Sequence, residues 1–243
     1  MRLHLVELHD LPACPASLRD ALTDFLAFTL NLVRTYEPAG PLLRRALRRA
    51  GATRIVDLCS GAGGPWSWLA PQVNVPIVLT DLYPHRGRIA GMHASPVDAR
   101  AVPADLRGFR TLFTSFHHFR PADARAILED AVRHQQGIAV FEAARRRPLD
   151  IALVAMTWLG VLAAAPFVRP FRWSRLMWAY LPPLLPLVGS FDGVVSCLRS
   201  YSLAELRALV HGLDDFEWDI GEVRAPYSPL HTTYLIGVPR RVA

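Results

Sequence analysis

RIVDLCSGAGGPW, residues 54 to 66, is the stretch that decides the fold of this chain. It opens with a short apolar run at 54–58, whose length and β-branched residues are typical of a buried strand. A glycine-bearing turn follows at once at 59–64, and glycine permits the positive φ angles that a tight turn at a strand end requires. The segment therefore predicts a first strand whose carboxyl end carries a ligand-binding loop.

Further apolar runs follow this strand, separated by helices or short helical turns. We expect strands at 76–82, 97–102, 111–116 and 137–143. Alternation of strands with helical segments is typical of a parallel, doubly wound sheet that is covered on both faces. The sequence thus predicts an α/β protein with a Rossmann-like sheet.

The C-terminal part departs from this alternation. FEWDIGEV at 216–223 and TTYLIGVP at 232–239 are two alternating strands, and the eight residues between them are too few for a crossover helix. They are expected to form an antiparallel hairpin, which brings the predicted sheet to seven strands. Ser202 followed by Glu205 predicts a capping box at the start of a helix before the hairpin.

Composition limits the class of protein. The 243 residues are 51% hydrophobic, so the chain can bury a substantial core, and we expect a single domain over 1–243. The formal charge of +6 comes entirely from arginine, and arginines alternate with aromatic residues only at 169–175, so no nucleic-acid partner is expected.

The cysteines and the N-terminus bear on metal binding and location. Cys14, Cys59 and Cys197 lack the spacing of a metal site, so we expect no metal and a reducing compartment. The first residues contain acidic side chains and no sustained apolar run, unlike a secretory signal. The expected location is the cytoplasm, with association at the inner face of the membrane left open.

Taken together, the first strand, its glycine loop, the acidic residues after the next strands and the terminal hairpin resemble a class I S-adenosylmethionine-dependent methyltransferase. The family pattern is acidic, hydrophobic, Gly, x, Gly, x, Gly, and this chain has DLCSGAG at 57–63. The departure is Cys59, which replaces the first glycine. We expect it to pack beneath the loop as a small side chain, because nothing nearby in the sequence lowers its pKa for a nucleophilic role.

The resemblance implies a methyl-donor site with S-adenosylmethionine as cofactor. Asp57 would face the ammonium group directly or through water, Asp81 the two ribose hydroxyls, and Asp98 the adenine amino group. The residues that the resemblance assigns to the donor are Asp57, Cys59, Ser60, Gly61, Gly63, Asp81, Leu82, Asp98, Ala99 and Ser115. It also implies that the two N-terminal helices, within residues 1–50, form a lid.

Two other functions fit parts of the pattern. A glycine loop with this acidic spacing also suits a nicotinamide dinucleotide, although Pro65 and two tryptophans stand where a pyrophosphate-binding helix would begin. A non-catalytic, membrane-associated module that keeps the nucleoside fold is the second alternative. The agreement of several features favours the methyltransferase.

Candidate catalytic residues follow the predicted fourth strand. His117 and His118 are expected at the same sheet edge as the donor, where one of them would orient or deprotonate the acceptor. A structural role for either histidine, as a cap or an exposed side chain, remains open.

Residues 145–200 form a hydrophobic insertion between the fifth and sixth predicted strands. It contains uncharged runs at 151–168 and 176–191, and prolines interrupt the second run. Three interpretations remain open: a helical cap over an apolar acceptor pocket, an interfacial hairpin in peripheral contact with a membrane, or a transmembrane pair. The first two predict a hydrophobic small-molecule or lipid-like acceptor, with any membrane contact made through 151–191.

Overall fold

A computed structural model describes residues 2–61, 63–84, 91–227 and 229–240. Its strands are β1 (Ile55–Leu58), β2 (Ile77–Leu79), β3 (Phe109–Phe113), β4 (Ile138–Glu142), β5 (Phe216–Arg224) and β6 (His231–Pro239). They form one sheet in the order β2-β1-β3-β4-β6-β5. Strands β1 to β4 are parallel, whereas β6 runs antiparallel to both β4 and β5. The predicted parallel sheet with a terminal antiparallel hairpin is confirmed.

The prediction of seven strands is wrong, since the described residues form six. Residues 97–102 form a turn in place of the expected strand. The backbone N–H of Ala101 donates to the carbonyl of Asp98 at 3.1 Å, and the backbone N–H of Arg100 donates to the Asp98 carboxylate at 2.9 Å. The flanking Pro96 and Pro103 cannot donate to a sheet ladder. The apolar side chains of this segment belong to the core nonetheless, so their alternation reflects packing of a turn against the sheet.

Nine helices lie around the sheet in the described residues. They are α1 (Ala16–Leu32), α2 (Ala39–Ala50), α3 (Trp66–Val73), α4 (Pro121–Arg133), α5 (Pro148–Ala155), α6 (Thr157–Ala164), α7 (Trp173–Tyr180), α8 (Leu184–Arg199) and α9 (Leu203–Val210). Short 3-10 turns occur at Leu8–Asp10 and Phe116–His118. The predicted capping box of Ser202 and Glu205 is present at the start of α9.

Each face of the sheet has its own core. Every residue of β1, β3 and β4 is buried, and successive side chains point to opposite faces. Side chains such as Val56 and Leu112 pack with α4 and α9 on one face, which we call the first core. Ile55 and Phe109 pack with α2 and α3 on the other face, in the second core. The carboxyl ends of the parallel strands consequently meet at one fixed edge.

The N-terminal helix and the insertion share a third, smaller core. It is formed by α1 and by insertion residues from Val161 to Leu185. Buried Arg175 fixes this layer: its guanidinium donates to the carbonyl of Val168 at 2.8 Å and to the carboxylate of Asp24 on α1 at 2.7 Å. The insertion is therefore held against α1, with its loop between α6 and α7 next to that helix.

Within the described residues, no single helix is long and apolar enough to cross a bilayer. Helices α7 and α8 meet the length and hydropathy limits only as a pair, and they are bent by 77° at the break between them.

Candidate functional site

The loop after β1 is built from residues in the left-handed region of φ. Cys59, Gly61, Gly63 and Gly64 have φ angles of 55°, 49°, 96° and 58°, and Ala62 lies outside the described residues. The N–H of Gly63 donates to the carbonyl of Ser60 at 2.7 Å, which closes the turn. Among the described residues other than its chain neighbours, no atom lies within 4 Å of the position that a Cβ of Gly61 would occupy, so the backbone there faces open space. A flat ligand can therefore approach the loop closely.

Asp57 lies beneath the loop and is almost fully buried. Its two carboxylate oxygens accept from the hydroxyls of Thr111 on β3 and Ser60, at 2.6 Å and 2.7 Å. Burial raises the pKa of Asp57 to about 6, although these hydrogen bonds favour the ionised form. The carboxylate thus fixes the loop to the sheet and places a titratable group under it.

Asp81 follows β2 and joins it to the same loop. One carboxylate oxygen accepts from the N–H of Gly61 and the other from the N–H of Tyr83, both at 2.9 Å. Leu82 beside it is 40% exposed. Asp81 thus lies at the glycine loop, and its partner there is the loop backbone.

Asp98 and Ala99 occupy the turn that replaces the predicted third strand. The Asp98 carboxylate pairs with the Arg100 guanidinium at 2.7 Å, and this hydrogen-bonded pair lowers the pKa of Asp98. Ala99 is buried in the first core. A ligand that donates a hydrogen bond to the Asp98 carboxylate would therefore share this group with the Arg100 guanidinium.

Cys59 packs against the first core, in agreement with the packing interpretation. Burial raises the pKa of its thiol to about 12, and the negative charges of Asp81, Asp57 and Asp98 act in the same direction. A thiolate nucleophile is therefore disfavoured at this position.

A polar group without a partner lies beyond the end of β3. The Ser115 side chain is buried, and its Oγ has no hydrogen-bond partner of good geometry among the described residues. The Cys59 thiol, a weak hydrogen-bonding group, is the side chain within reach of this hydroxyl. Thr114 before it has a positive φ of 51°, and its hydroxyl is hydrogen-bonded to that of Tyr36. An unpaired buried hydroxyl beside the loop fits a polar ligand.

Two cavities meet at the loop. The smaller, about 130 Å³, is bounded by Cys59, Ser60 and Gly61 below, by Phe113 and Thr114 of the strand end, and by α1 above. The larger, about 560 Å³, lies between α1, the start of α3 and residues 167–172 of the insertion. Thr23, Ala27, Asn31 and Gly61 line both cavities. Two ligands bound there would share these walls.

Most residues of the predicted donor site line neither cavity. The predicted donor residues that line neither cavity are Asp57, Gly63, Asp81, Leu82, Asp98, Ala99 and Ser115. Asp57 and Asp81 connect to the lining through their hydrogen bonds with Ser60 and Gly61. Sequence reasoning missed Thr23, Asn31, Tyr36 and Thr114, which carry no motif and reach the site only through the fold.

The two candidate catalytic histidines lie elsewhere. His117 is buried, its Nδ1 lies 2.7 Å from a carboxylate oxygen of Glu142, and its ring lies 4.3 Å from that of His118. His118 is about one-third exposed and contacts the N-terminal segment, with Nε2 3.7 Å from Glu7. Neither histidine lines either of the two cavities.

No protein-family model and no curated protein matches the sequence. Solved structures do match the fold. The plantazolicin methyltransferase BpumL in complex with SAH aligns with a TM-score of 0.54 and 10% identity, over 91% of this chain and 90% of that chain. Human N-acetylserotonin methyltransferase in complex with SAM aligns with a TM-score of 0.50 and 13% identity, over 92% of this chain and 57% of that chain. The chain has the fold of the class I S-adenosylmethionine-dependent methyltransferases.

Proposed function

We propose that this protein is an S-adenosylmethionine-dependent methyltransferase that acts on a hydrophobic acceptor. The observation that carries the proposal is the left-handed loop after β1, whose Gly61 is hydrogen-bonded to Asp81 and lines both cavities. When bound, S-adenosylmethionine supplies a methyl group on a sulfonium centre. The matched solved structures that hold SAM or SAH support this choice of ligand.

The acidic residues around the loop suit a cationic nucleoside. Asp81 would accept from the ribose hydroxyls after exchanging one of its two backbone partners, and Ser115 would complete its hydrogen bonding on the adenosine side. Asp57 is too deeply buried to meet the ammonium group directly, so its charge would act through Ser60 and the loop backbone. Asp98 would remain paired with Arg100 and contribute an oxygen at the edge of the site.

The larger cavity is the proposed acceptor site. It adjoins the smaller cavity at Gly61, and apolar side chains such as Phe28, Leu32 and Phe167 contribute to its walls. Displacement at a methyl group needs an aligned nucleophile and a water-poor site more than it needs strong acid–base groups. The proposal gives neither His117 nor His118 a catalytic role, because neither lines this cavity.

Peripheral membrane contact through the insertion extends the proposal. More than half of the exposed large hydrophobic side chains of the described residues lie within 148–199, including Trp173 at 78% and Leu181 at 79% exposure. Phe167 and Arg169 belong to the cavity wall and are exposed at the same time. Aromatic and arginine side chains at an apolar surface are typical of interfacial contact. A lipid-like acceptor would then enter the cavity from the bilayer.

Calorimetry on untagged protein tests the donor. We expect S-adenosylmethionine and its demethylated product to bind with one site per chain, and NADH and NADPH to give no heat. The absence of heat with both sulfur compounds would overturn the proposal, and heat with a dinucleotide alone would indicate an oxidoreductase.

Turnover tests the acceptor. Transfer of a labelled methyl group is expected with bacterial lipid extracts or apolar hydroxy compounds, and the label should move into the organic phase. Donor binding without transfer to any acceptor in such a panel would favour the non-catalytic membrane module.

A further inference from the structure

A cluster of imidazole and carboxylate groups lies on the N-terminal segment and the 3-10 turn after β3. Glu7 and His117 are 1% and 2% exposed, so both are inside the protein. His117 Nε2 lies 3.7 Å from one carboxylate oxygen of Glu7, and His118 Nε2 lies 3.7 Å from the other. One ligand atom from each of the three residues lies within 4.8 Å of the others. We propose that Glu7, His117 and His118 bind a divalent transition-metal ion of the zinc type.

The hydrogen bonding of His117 supplies the main evidence for the site. Its Nδ1 is 2.7 Å from Glu142, whose other oxygen accepts from the N–H of Phe116 at 2.6 Å. A carboxylate in this place holds the proton on Nδ1 and leaves a lone pair on Nε2. That Nε2 is buried and has no hydrogen-bond partner among the described residues. An imidazole oriented by a carboxylate, with its second nitrogen unpaired, is the arrangement of a metal-bound histidine.

The two oxygens of Glu7 differ in their surroundings. Oε1 accepts from the Ser196 hydroxyl at 2.8 Å and lies 3.2 Å from the Arg199 guanidinium. Oε2 faces the rings of His118 and His9, each 3.7 Å away. Oε2 is therefore the oxygen available to an ion, while Ser196 and Arg199 hold the carboxylate in place.

The local charge favours a cation despite Arg199. Asp10 lies 3.5 Å from His118 Nδ1, and Asp192 lies 2.8 Å from His9 Nδ1. Four carboxylates therefore lie around the cluster, those of Asp10, Asp192, Glu7 and Glu142. The positive charge that opposes them is the Arg199 guanidinium, which contacts Glu7 and Asp10 directly. Arg2 is also near, but its guanidinium donates to the carbonyls of His117 and Phe119 and lies over Tyr201. Negative charge is thus in excess at the ligand atoms.

Two imidazole nitrogens with one carboxylate oxygen suit zinc or its neighbours better than magnesium or calcium, which prefer oxygen ligands. Ligand atoms about 2.1 Å from a tetrahedral zinc are roughly 3.4 Å apart, so the 3.7 Å between Glu7 Oε2 and His118 Nε2 requires only a small closure. His117 Nε2, which lies 3.7 Å from Oε1 of the same carboxylate, would have to move toward Oε2. Asp10 or water would supply a fourth ligand. The ion would tie the N-terminal segment to the strand end that also carries Ser115.

Metal titration of the full, untagged chain tests the proposal. After treatment with a chelator and dialysis, we expect zinc to bind with one equivalent and to raise the melting temperature, and cobalt(II) to give the visible absorption of a tetrahedral site. His118→Ala should weaken zinc binding by at least about 100-fold, since it removes one of three protein ligands. His134→Ala is the matched control, because His134 is a partly exposed histidine 3.4 Å from a carboxylate oxygen of Asp130, outside the cluster.

A second variant guards against misfolding. Glu7→Gln should weaken zinc binding as His118→Ala does, with an unchanged far-ultraviolet circular dichroism spectrum. Zinc affinities equal to that of the parent in both variants would overturn the proposal and indicate an adventitious ion only. The absence of zinc binding by the parent would overturn it as well. Donor calorimetry on the same samples distinguishes this result from failure of the proposed methyltransferase function, because Glu7, His117 and His118 line neither cavity at the glycine loop.

Discussion

The sheet edge and the insertion place their apolar groups in opposite ways. At the edge, the strands β1, β3 and β4 are wholly buried, and charges such as Asp57 lie inside with their hydrogen-bond partners. In the insertion, helices α5 and α6 are apolar on all sides, and residues such as Met156 and Leu159 stay exposed. One region holds the glycine loop against the sheet, whereas the other leaves an apolar surface exposed.

The difference separates donor binding from acceptor delivery. Donor recognition in the proposed site depends on a few backbone groups and carboxylates fixed by the sheet. In the proposed function, acceptor recognition depends on the larger cavity, whose wall includes the loop between α6 and α7. Variants in one region should therefore leave the activity of the other unchanged, which the following experiments examine.

The largest effect is expected at the sheet edge. Asp81→Ala should lower affinity for S-adenosylmethionine by at least about 100-fold, or roughly 2.7 kcal/mol, because it removes the charged ribose acceptor and the bond to Gly61. Asp81→Asn keeps an oxygen for the Gly61 N–H and should lose less. Calorimetry measures both, with the exposed Asp214→Ala as control. Unchanged donor affinity in Asp81→Ala would contradict the proposed geometry.

A smaller effect is expected in the insertion. The double variant Trp173→Glu with Leu181→Glu should lower binding to anionic phospholipid vesicles by at least about tenfold. It replaces two exposed apolar side chains, each worth roughly 1.5–3 kcal/mol when buried, with groups that anionic headgroups repel. Sedimentation with vesicles provides the measurement, and donor affinity should not change.

Tyr227→Glu is the matched control for the vesicle experiment, because Tyr227 is 65% exposed but lies outside the insertion. An equal loss per added negative charge in the control and the double variant would mean that vesicle binding follows overall charge. In that case the apolar surface of the insertion would need another partner.

The buried charge at the sheet edge predicts a pH dependence. The folded pKa of Asp57 is about 6, above its ordinary value of 3.8, so the folded state binds this proton more tightly than the unfolded state. The resulting stabilisation is present at pH 5 and is lost as the pH rises through 6, on the order of 1 kcal/mol. Urea unfolding of the parent and of Asp57→Asn at pH 5 and pH 7.5 should show that the parent loses more stability over this interval. Parallel pH dependence of the two proteins would contradict a raised pKa.

The sheet could be predicted from the sequence because burial leaves a local pattern. Apolar runs identified β1 to β4, and the neighbouring parallel strands β1 and β2 end side by side, where Asp81 contacts the loop. The pattern misled at 97–102, where Val97 and Val102 are apolar because a turn packs on the first core. Periodicity records which side chains are buried, and turns with buried side chains imitate strands.

The rest of the site could not be predicted because it is assembled over long distances in the chain. Tyr36 meets Thr114, and Glu7 meets His117, through the packing of separate segments with no shared motif. The expected catalytic position of His117 at the sheet edge followed from its place after β3, but Glu142 and Glu7 draw its ring into a different cluster. In the insertion, helices that are apolar all round give no indication of which face is buried.

The smallest effect is expected at Cys59, the departure from the family's glycine pattern. Its φ of 55° costs a residue with a Cβ roughly 1 kcal/mol, which glycine would relieve, while the contacts of the thiol with the first core would be lost. Cys59→Gly should therefore change the free energy of unfolding by less than about 1 kcal/mol and keep donor binding, as urea unfolding and calorimetry can measure. Cys59→Val forces a β-branched side chain into the same conformation and should destabilise the fold by roughly 2 kcal/mol. Loss of methyl transfer in a stable Cys59→Gly variant that still binds the donor would instead assign the thiol a part in the chemistry.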